Sequence, residues 1–369
     1  MPHIHPLSFC VPTAHSLSKS TTNPLYGPDF FTDMLFELED QTERIRSSYE
    51  NKITQGEILN LPHPAILWYV IQKGNLWFSG FVTGIGLQDI KKGKISLHEH
   101  VMQKRVDDFA NYLSTTGLQA EPVLLFHNHH EGINALEDEI CKRQPDHYYR
   151  LENERHELWI LSEAQEQQLQ NYCKSLSHFH LADGHHRLQS TLQWAEKEAE
   201  AQHLLSFVIS KKEVSNGSFI WGLKKWPAGL DSERFLQKPQ AYSAQPATYY
   251  DRLGPNKQIL IEVENKVYAL NPEINLDNAD FIYKELLGFK GNSVSNAKAY
   301  FDYFPNRTQL DFDSIASDKY CAQFAATPLS VDRLIERALA HQKLPPKSTF
   351  IRPKIPTGLL VYKQEKNKK

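Results

Sequence analysis

The stretch HFHLADGHHRLQSTLQWA, residues 178–195, constrains this chain more than any other. In HFHLA, Phe179 and Leu181 fall on one face of an extended strand and His178 and His180 on the other. DGHHR reads as the turn. RLQSTLQWAEKEA then places Leu188, Leu192, Ala195 and Ala199 on one side of a helix. A strand, a glycine turn and a helix in immediate succession call for helices layered on a sheet, and such junctions are where ligands gather in α/β folds.

The flanking sequence repeats the pattern. AILWYVIQ and LWFSGFVTGIGL read as two strands joined by Lys73-Gly74-Asn75. Val106, Phe109 and Leu113 form one helical stripe, with Gly117 where a C-terminal cap belongs. PVLLF and HELWIL are short strands, and LLSFVIS is the strand after the turn. Ser162 and Gln165 form a capping box that opens a helix carrying Leu169, Tyr172 and Leu176. Residues 31–58 read as a helix and 1–28 as irregular. The polar, proline-containing residues 231–257 read as a linker. QILIEVENKVYAL is a hairpin about Glu264-Asn265-Lys266, with helical segments near 279–288 and 330–341. The expected fold is mixed α+β: an extension with helix (1–58), a core (59–230), the linker (231–257) and a C-terminal α+β segment (258–369) packing on the core.

The chemistry concentrates at the turn. A helix N-terminus offers unpaired N–H groups and partial positive charge. Gly184 lets a ligand approach the backbone, Arg187 adds a planar fork of donors, and His185 and His186 add further donors. This is the pattern that holds an anion, foremost a nucleotide phosphate. Asp183 could cap the helix, or orient a histidine or Mg2+. The bland alternative, a simple cap, turn and surface ion pair, accounts for D-G alone but is a poor account of all five residues together.

Other polar clusters weigh less. HNHH at 127–130 and HFH at 178–180 have imidazole spacing for a metal, but lack a carboxylate or cysteine partner, so no dedicated transition-metal site is expected. PPKST at 345–349 carries the Lys-Ser end of a phosphate loop with Pro345 and Pro346 where glycines are required, so a P-loop is rejected; Lys347, Ser348 and Thr349 could still contact an anion. Glu99, between His98 and His100 and just before a helix, could cap it, bind an ammonium group or take a proton from a hydroxyl.

Composition closes several classes. Among 369 residues, 41 Lys and Arg against 44 Asp and Glu give a net charge of −3, so no basic excess exists to neutralise a nucleic-acid backbone. Cys10, Cys141, Cys173 and Cys321 contain no C-x-x-C pair, which fits a reducing compartment. No secretory leader and no apolar run of bilayer length is read, so a cytoplasmic location without membrane association is expected.

Taken together, HEHVMQKRVDDFANYLSTTGLQAEPV, HELWIL, LADGHHRLQSTL and LPPKSTFIRPKIPTGLLVY resemble, in order, the signature pieces of the bacterial family called domain of unknown function 1015, over roughly 60–210 and 320–362. That family is similar to a wider superfamily of ParB-like, sulfiredoxin-like and free serine kinase domains. The resemblance implies a ParB/sulfiredoxin-like core, ATP or ADP with Mg2+, and phosphoryl transfer to a hydroxyl of serine or a similar metabolite. It gives Glu99 the role of base, and Asp183, Gly184, His185, His186 and Arg187 the phosphates. Lys104, Arg105 and His156 match further motif positions without an assigned role. There are departures: His185 and His186 stand where sulfiredoxins carry a cysteine, residues before 55 do not match the usual opening, and IWGLKKWPAGL replaces the usual piece after its strand. A nucleotide-sensing protein without transfer is the alternative. The C-terminal segment is expected to fold back so that Lys347 to Lys354 line the same cleft.

Overall fold

A computed structural model of the protein describes residues 2–13, 42–97, 101, 103–151, 153–198, 202–217, 219–242, 244–246, 259–270, 277–290, 297–305, 319–340, 342, 344–345 and 347–364. The fold is mixed α and β, as the alternation of patterns required. Two compact units are present: one takes the described residues of Met1–Leu97, Val101–Val214 and Pro353–Lys369, the other those of Ser215–Arg352.

The first unit is built on a sheet. Its strands are β1 (Ile4–His5), β4 (Leu67–Lys73), β5 (Leu76–Gly86), β6 (Ile95–Ser96), β8 (Val123–His127), β9 (His147–Leu151), β10 (Glu154–Ile160), β11 (Phe179–Asp183) and β12 (His203–Ser210). The main path runs β6-β11-β8-β12-β5-β4-β10-β9, with β1 added to β5. The β8–β12 and β11–β6 pairs are parallel and the others antiparallel. A smaller sheet in the order β3-β2-β21-β7 joins β2 (Phe9–Pro12), β3 (Ile58–Asn60), β7 (Leu118–Gln119) and β21 (Val361–Lys363). The N-terminal residues read as irregular thus contribute two strands, because FCVP is wholly buried and pairs on both sides.

The helices are α1 (Thr42–Thr54), a short α2 (Leu87–Lys91), α3 (Gln103–Thr116), α4 (Glu131–Ile140), α5 (Glu163–Ser175) and α6 (His185–Ala195). The helix expected over 31–58 ends at Thr54, since Gly56 turns left-handed (φ 69°) and Ile58 enters β3; residues 31–41 lie outside the described set. Gly117 (φ 66°) ends α3, and the Ser162–Gln165 capping box starts α5, both as expected. One apolar cluster joins Phe81, Leu125, Phe179, Leu181 and Val208 of the sheet to Ile45, Leu113, Leu169 and Leu188 of the helices. A side chain of that size contributes about 1.5–3 kcal/mol when fully buried.

The second unit pairs β13 (Ser215–Gly217) with β20 (Phe350–Arg352) and has a six-stranded antiparallel sheet of β14 (Phe219–Leu223), β15 (Gln245–Pro246), β16 (Ile259–Val263), β17 (Lys266–Leu270), β18 (Phe301–Pro305) and β19 (Ala322–Ala326) in the order β15-β17-β16-β19-β14-β18. The hairpin turn falls at Glu264 and Asn265, both left-handed (φ 50° and 58°), the conformation that suits a two-residue hairpin. The stretch read as linker opens with a helix, α7 (Ser232–Ala241), capped by Asp231 accepting from the Arg234 amide at 2.8 Å. Its polar composition hid Phe235, fully buried in the aromatic core of this unit. The α8 helix (Val331–Leu339) buries Arg337, whose guanidinium donates to Asp277 and Asp280 (2.5 and 2.6 Å). Among the described residues no helix is long and apolar enough to cross a membrane.

Four described histidines outside the turn make contacts within the fold. His180 stacks on Phe126 and its Nδ1 meets the Ser96 hydroxyl at 2.6 Å. His127 Nδ1 bonds the Asn128 carbonyl (2.6 Å), and His130 caps α4 by accepting from the Ile133 amide. His156 is fully buried with Nδ1 on the Tyr69 hydroxyl (2.8 Å), and burial pushes it down to about 4. An imidazole near 6.5 when unfolded and near 4 when folded takes up a proton on unfolding between those pH values. Stability is therefore lost as pH falls through that window. His156→Gln removes one such proton: the slope of unfolding free energy against pH between 6.5 and 4 should shrink by about 1.4 kcal/mol per pH unit. An unchanged slope would mean that His156 is not buried neutral.

Candidate anion-binding site

β11 ends on an irregularity. Leu181 pairs with Leu125, but Asp183 pairs with Leu124, so the register slips at Ala182 and turns Asp183 at the strand end. Gly184 follows at φ 99°, a conformation L residues avoid, and is the N-cap of α6. Asp183 makes no cap, contrary to one expectation for it; the first helical bond runs from the Leu188 amide to the Gly184 carbonyl (2.9 Å). The missing side chain matters a second time. A Cβ on Gly184 would lie 3.0 Å from both Nε and Nη2 of Arg187 and 2.8 Å from Val123 Cγ1. The guanidinium is folded back over the glycine.

There it is held by two carboxylates. Arg187 Nη2 donates to Asp183 Oδ2 at 3.0 Å, and Nη1 pairs with Glu121. The other oxygen of Asp183 accepts from Lys354 Nζ at 2.9 Å. Thr357 donates to Glu121 Oε2 at 3.2 Å. Four charges thus alternate along one chain, Glu121–Arg187–Asp183–Lys354. Burial pushes the Arg187 guanidinium down to about 10, so it stays charged at neutral pH. Its side chain is 18% exposed and that of Lys354 49%.

Each member arrives by a separate route. Glu121 stands between β7 and β8, just before Pro122. Lys354 and Thr357 come from the C-terminal segment, which returns to this loop: the Gly358 amide donates to the Ala120 carbonyl (2.7 Å), the Gln364 amide to that of Gly117 (2.9 Å), and β21 pairs with β7. Of the stretch from Lys347 to Lys354 expected to line the cleft, Lys354 bonds Asp183. Lys347, Ser348 and Thr349 belong to the second unit, where Lys347 is left-handed (φ 59°) and Ser348 donates to the Pro345 carbonyl at 2.7 Å.

His185 is buried in the first turn of α6 and His186 half-buried beside it. Lys104 is exposed and Arg105 half-buried on α3. His156, offered as support, lies on β10, separated from β11 by four intervening strands, and is spent on Tyr69. His98, Glu99 and His100 lie outside the described residues. Sequence reasoning missed Glu121 and Thr357 as members of the cluster. The signal for Glu121 was present: a carboxylate directly before a proline at a strand entrance, at the end of a stretch that carries the family resemblance. Beside Arg187 lies a cavity of about 120 Å³, walled by Phe109, Tyr112, Leu113, Leu118, Val123 and Leu204.

The geometry defines a mixed α/β protein with cations gathered at a glycine-started helix. The family described as protein of unknown function, DUF1015, matches residues 31–215, half of the chain, and the protein belongs to that family. The match begins earlier than the resemblance suggested and stops short of the C-terminal segment. No curated protein matches the sequence. Among solved structures, a conserved hypothetical protein from Pyrococcus furiosus is 14% identical, with a TM-score of 0.39 over 75% of this chain and 93% of that one. A free serine kinase variant in complex with ADP is 13% identical, with 0.41 over 75% and 92%. A truncated SbnI from Staphylococcus aureus is 11% identical, with 0.45 over 75% and 85%. At these scores the likeness assigns neither ligand nor residue role.

Gly184→Ala should destabilise the first unit by about 2 kcal/mol or more, from the left-handed backbone and the displaced guanidinium together. Chemical denaturation measures this; an unshifted midpoint would show that the turn tolerates a side chain.

Proposed function

We propose that the protein binds a nucleotide at the turn after β11 and transfers its terminal phosphoryl group to the hydroxyl of a free amino acid such as serine, or of a similar small metabolite. One observation carries this reading. Arg187 and Lys354 flank a single carboxylate at the N-terminus of a helix that starts on a left-handed glycine. Phosphate offers more oxygens and more charge than a carboxylate and is a natural partner of a guanidinium, an ammonium and helix amides. On this reading Glu121 and Asp183 hold the cations in place until phosphate exchanges for one of them.

In the transfer, the acceptor oxygen attacks the terminal phosphorus, the bond to the bridging oxygen breaks, and the nucleotide leaves one phosphate shorter. The hydroxyl proton passes to a base, the role proposed for Glu99. Positioning and charge neutralisation carry most of the barrier reduction in such reactions. Arg187, Lys354 and the amides of His185 and His186 are assigned the phosphates, with His185 and Asp183 beside them. Asp183 is bonded to two cations and Glu121 to one, so neither carboxylate is open to Mg2+ while those pairs hold. The same full neutralisation favours a second reading, in which nucleotide binding breaks the ion-pair chain as a signal and no transfer follows.

Purified protein incubated with ATP or ADP and an amino-acid pool, followed by 31P NMR, separates the two. A phosphorylated hydroxy compound is expected, while binding without product would leave the sensing role. Arg187→Ala should weaken ADP binding by about tenfold or more, the worth of a charged hydrogen bond. Glu121→Gln should tighten it by removing the competing charge, and Glu99→Gln should abolish transfer while sparing binding. ADP affinity indifferent to Arg187 and Glu121 alike would refute the site.

A further inference from the structure

The cavity beside Arg187 belongs to the first unit and differs from the polar turn next to it. Phe109, Tyr112 and Leu113 of α3, Leu118 of β7, Val123 of β8 and Leu204 of β12 supply an apolar wall, while Glu121, Arg187 and Thr357 stand at its charged side. Its remaining polar groups are mostly spent. Ser190 donates to the His186 carbonyl (2.6 Å) and Thr191 to that of Arg187 (2.8 Å). Gln119 donates to the His203 carbonyl and accepts from the Leu205 amide, both at 2.8 Å. Tyr112 is the exception. Its hydroxyl is buried and makes no hydrogen bond of good geometry, and the nearby Thr116 hydroxyl donates to the Tyr112 carbonyl instead.

The size of the cavity limits what it can take. About 120 Å³ is available. An apolar cavity of about 150 Å³ holds benzene. One six-membered ring or a branched aliphatic group therefore matches this space better than a fused two-ring base does. We infer that this cavity binds the single-ring or branched apolar body of a small anionic compound whose charged group lies against Arg187. The inference rests on the anion site proposed above and narrows its ligand. The acceptor, rather than the nucleobase, fills the cavity, and it is a larger, more apolar molecule than serine. A polar atom on its ring would find the Tyr112 hydroxyl unspent.

The test uses the full chain and four probes read by calorimetry: phenyl phosphate, inorganic phosphate, uncharged phenol and ADP. Phenyl phosphate should bind at least about tenfold more tightly than phosphate, the effect expected for burying one ring. Ala120→Leu, which adds bulk to the lining, should erase that advantage and leave phosphate affinity in place. Should that variant fail to fold, Leu113→Ala enlarges the same wall and should shift preference toward 1-naphthyl phosphate. Equal affinity for phenyl phosphate and phosphate, or an advantage untouched by both variants, overturns the cavity assignment. ADP bound without any ring advantage sinks the cavity alone. Phenol bound in a manner sensitive to Ala120→Leu, with no affinity for ADP, sinks the nucleotide reading alone.

Discussion

The site depends on the Arg187 guanidinium, which lies directly over Gly184 and is clamped between Glu121 and Asp183. A cation at the positive end of a helix is unfavourable by itself, and its burial makes it more so. Two carboxylates reverse the balance, and Lys354 completes the neutralisation from the C-terminal segment. The guanidinium is thus held by the protein's own anions. On the proposed reading, a ligand must offer more than a carboxylate does to displace them, as a multiply charged phosphate would.

The clamp explains why distant parts of the chain converge. Glu121 is positioned by α3, Gly117 and the strand that begins at Val123. Lys354 and Thr357 are positioned by β21, which pairs with β7 and ties the C-terminal segment to the same loop. Asp183 is aimed by the slip in register at the end of β11. Loss of any one contact leaves a charge of the chain less compensated, so the four side chains act as one unit.

Much of this was legible in the sequence because it is local. Alternation in HFHLA, the capping box at Ser162, the cap at Gly117 and the turn at Gly184 each need only a few neighbouring residues. What was hidden is long-range or disguised. Glu121 and Arg187 meet across 66 residues of sequence, and Asp183 and Lys354 across 171. No local pattern announces such pairs. His156 carries the marks of a functional group, and only the folded sheet shows that its Nδ1 is taken up by the Tyr69 hydroxyl. The α7 helix was concealed by polar residues and by Pro239 in its last turn, although Asp231 and Phe235 supply its cap and its anchor.

A crystal structure of the protein with ADP tests the central claim most directly. The account predicts a phosphate oxygen within hydrogen-bonding distance of both the Arg187 guanidinium and Lys354 Nζ, with the Glu121 carboxylate moved off the arginine. ADP bound elsewhere, with the Glu121–Arg187–Asp183–Lys354 chain intact, would contradict it.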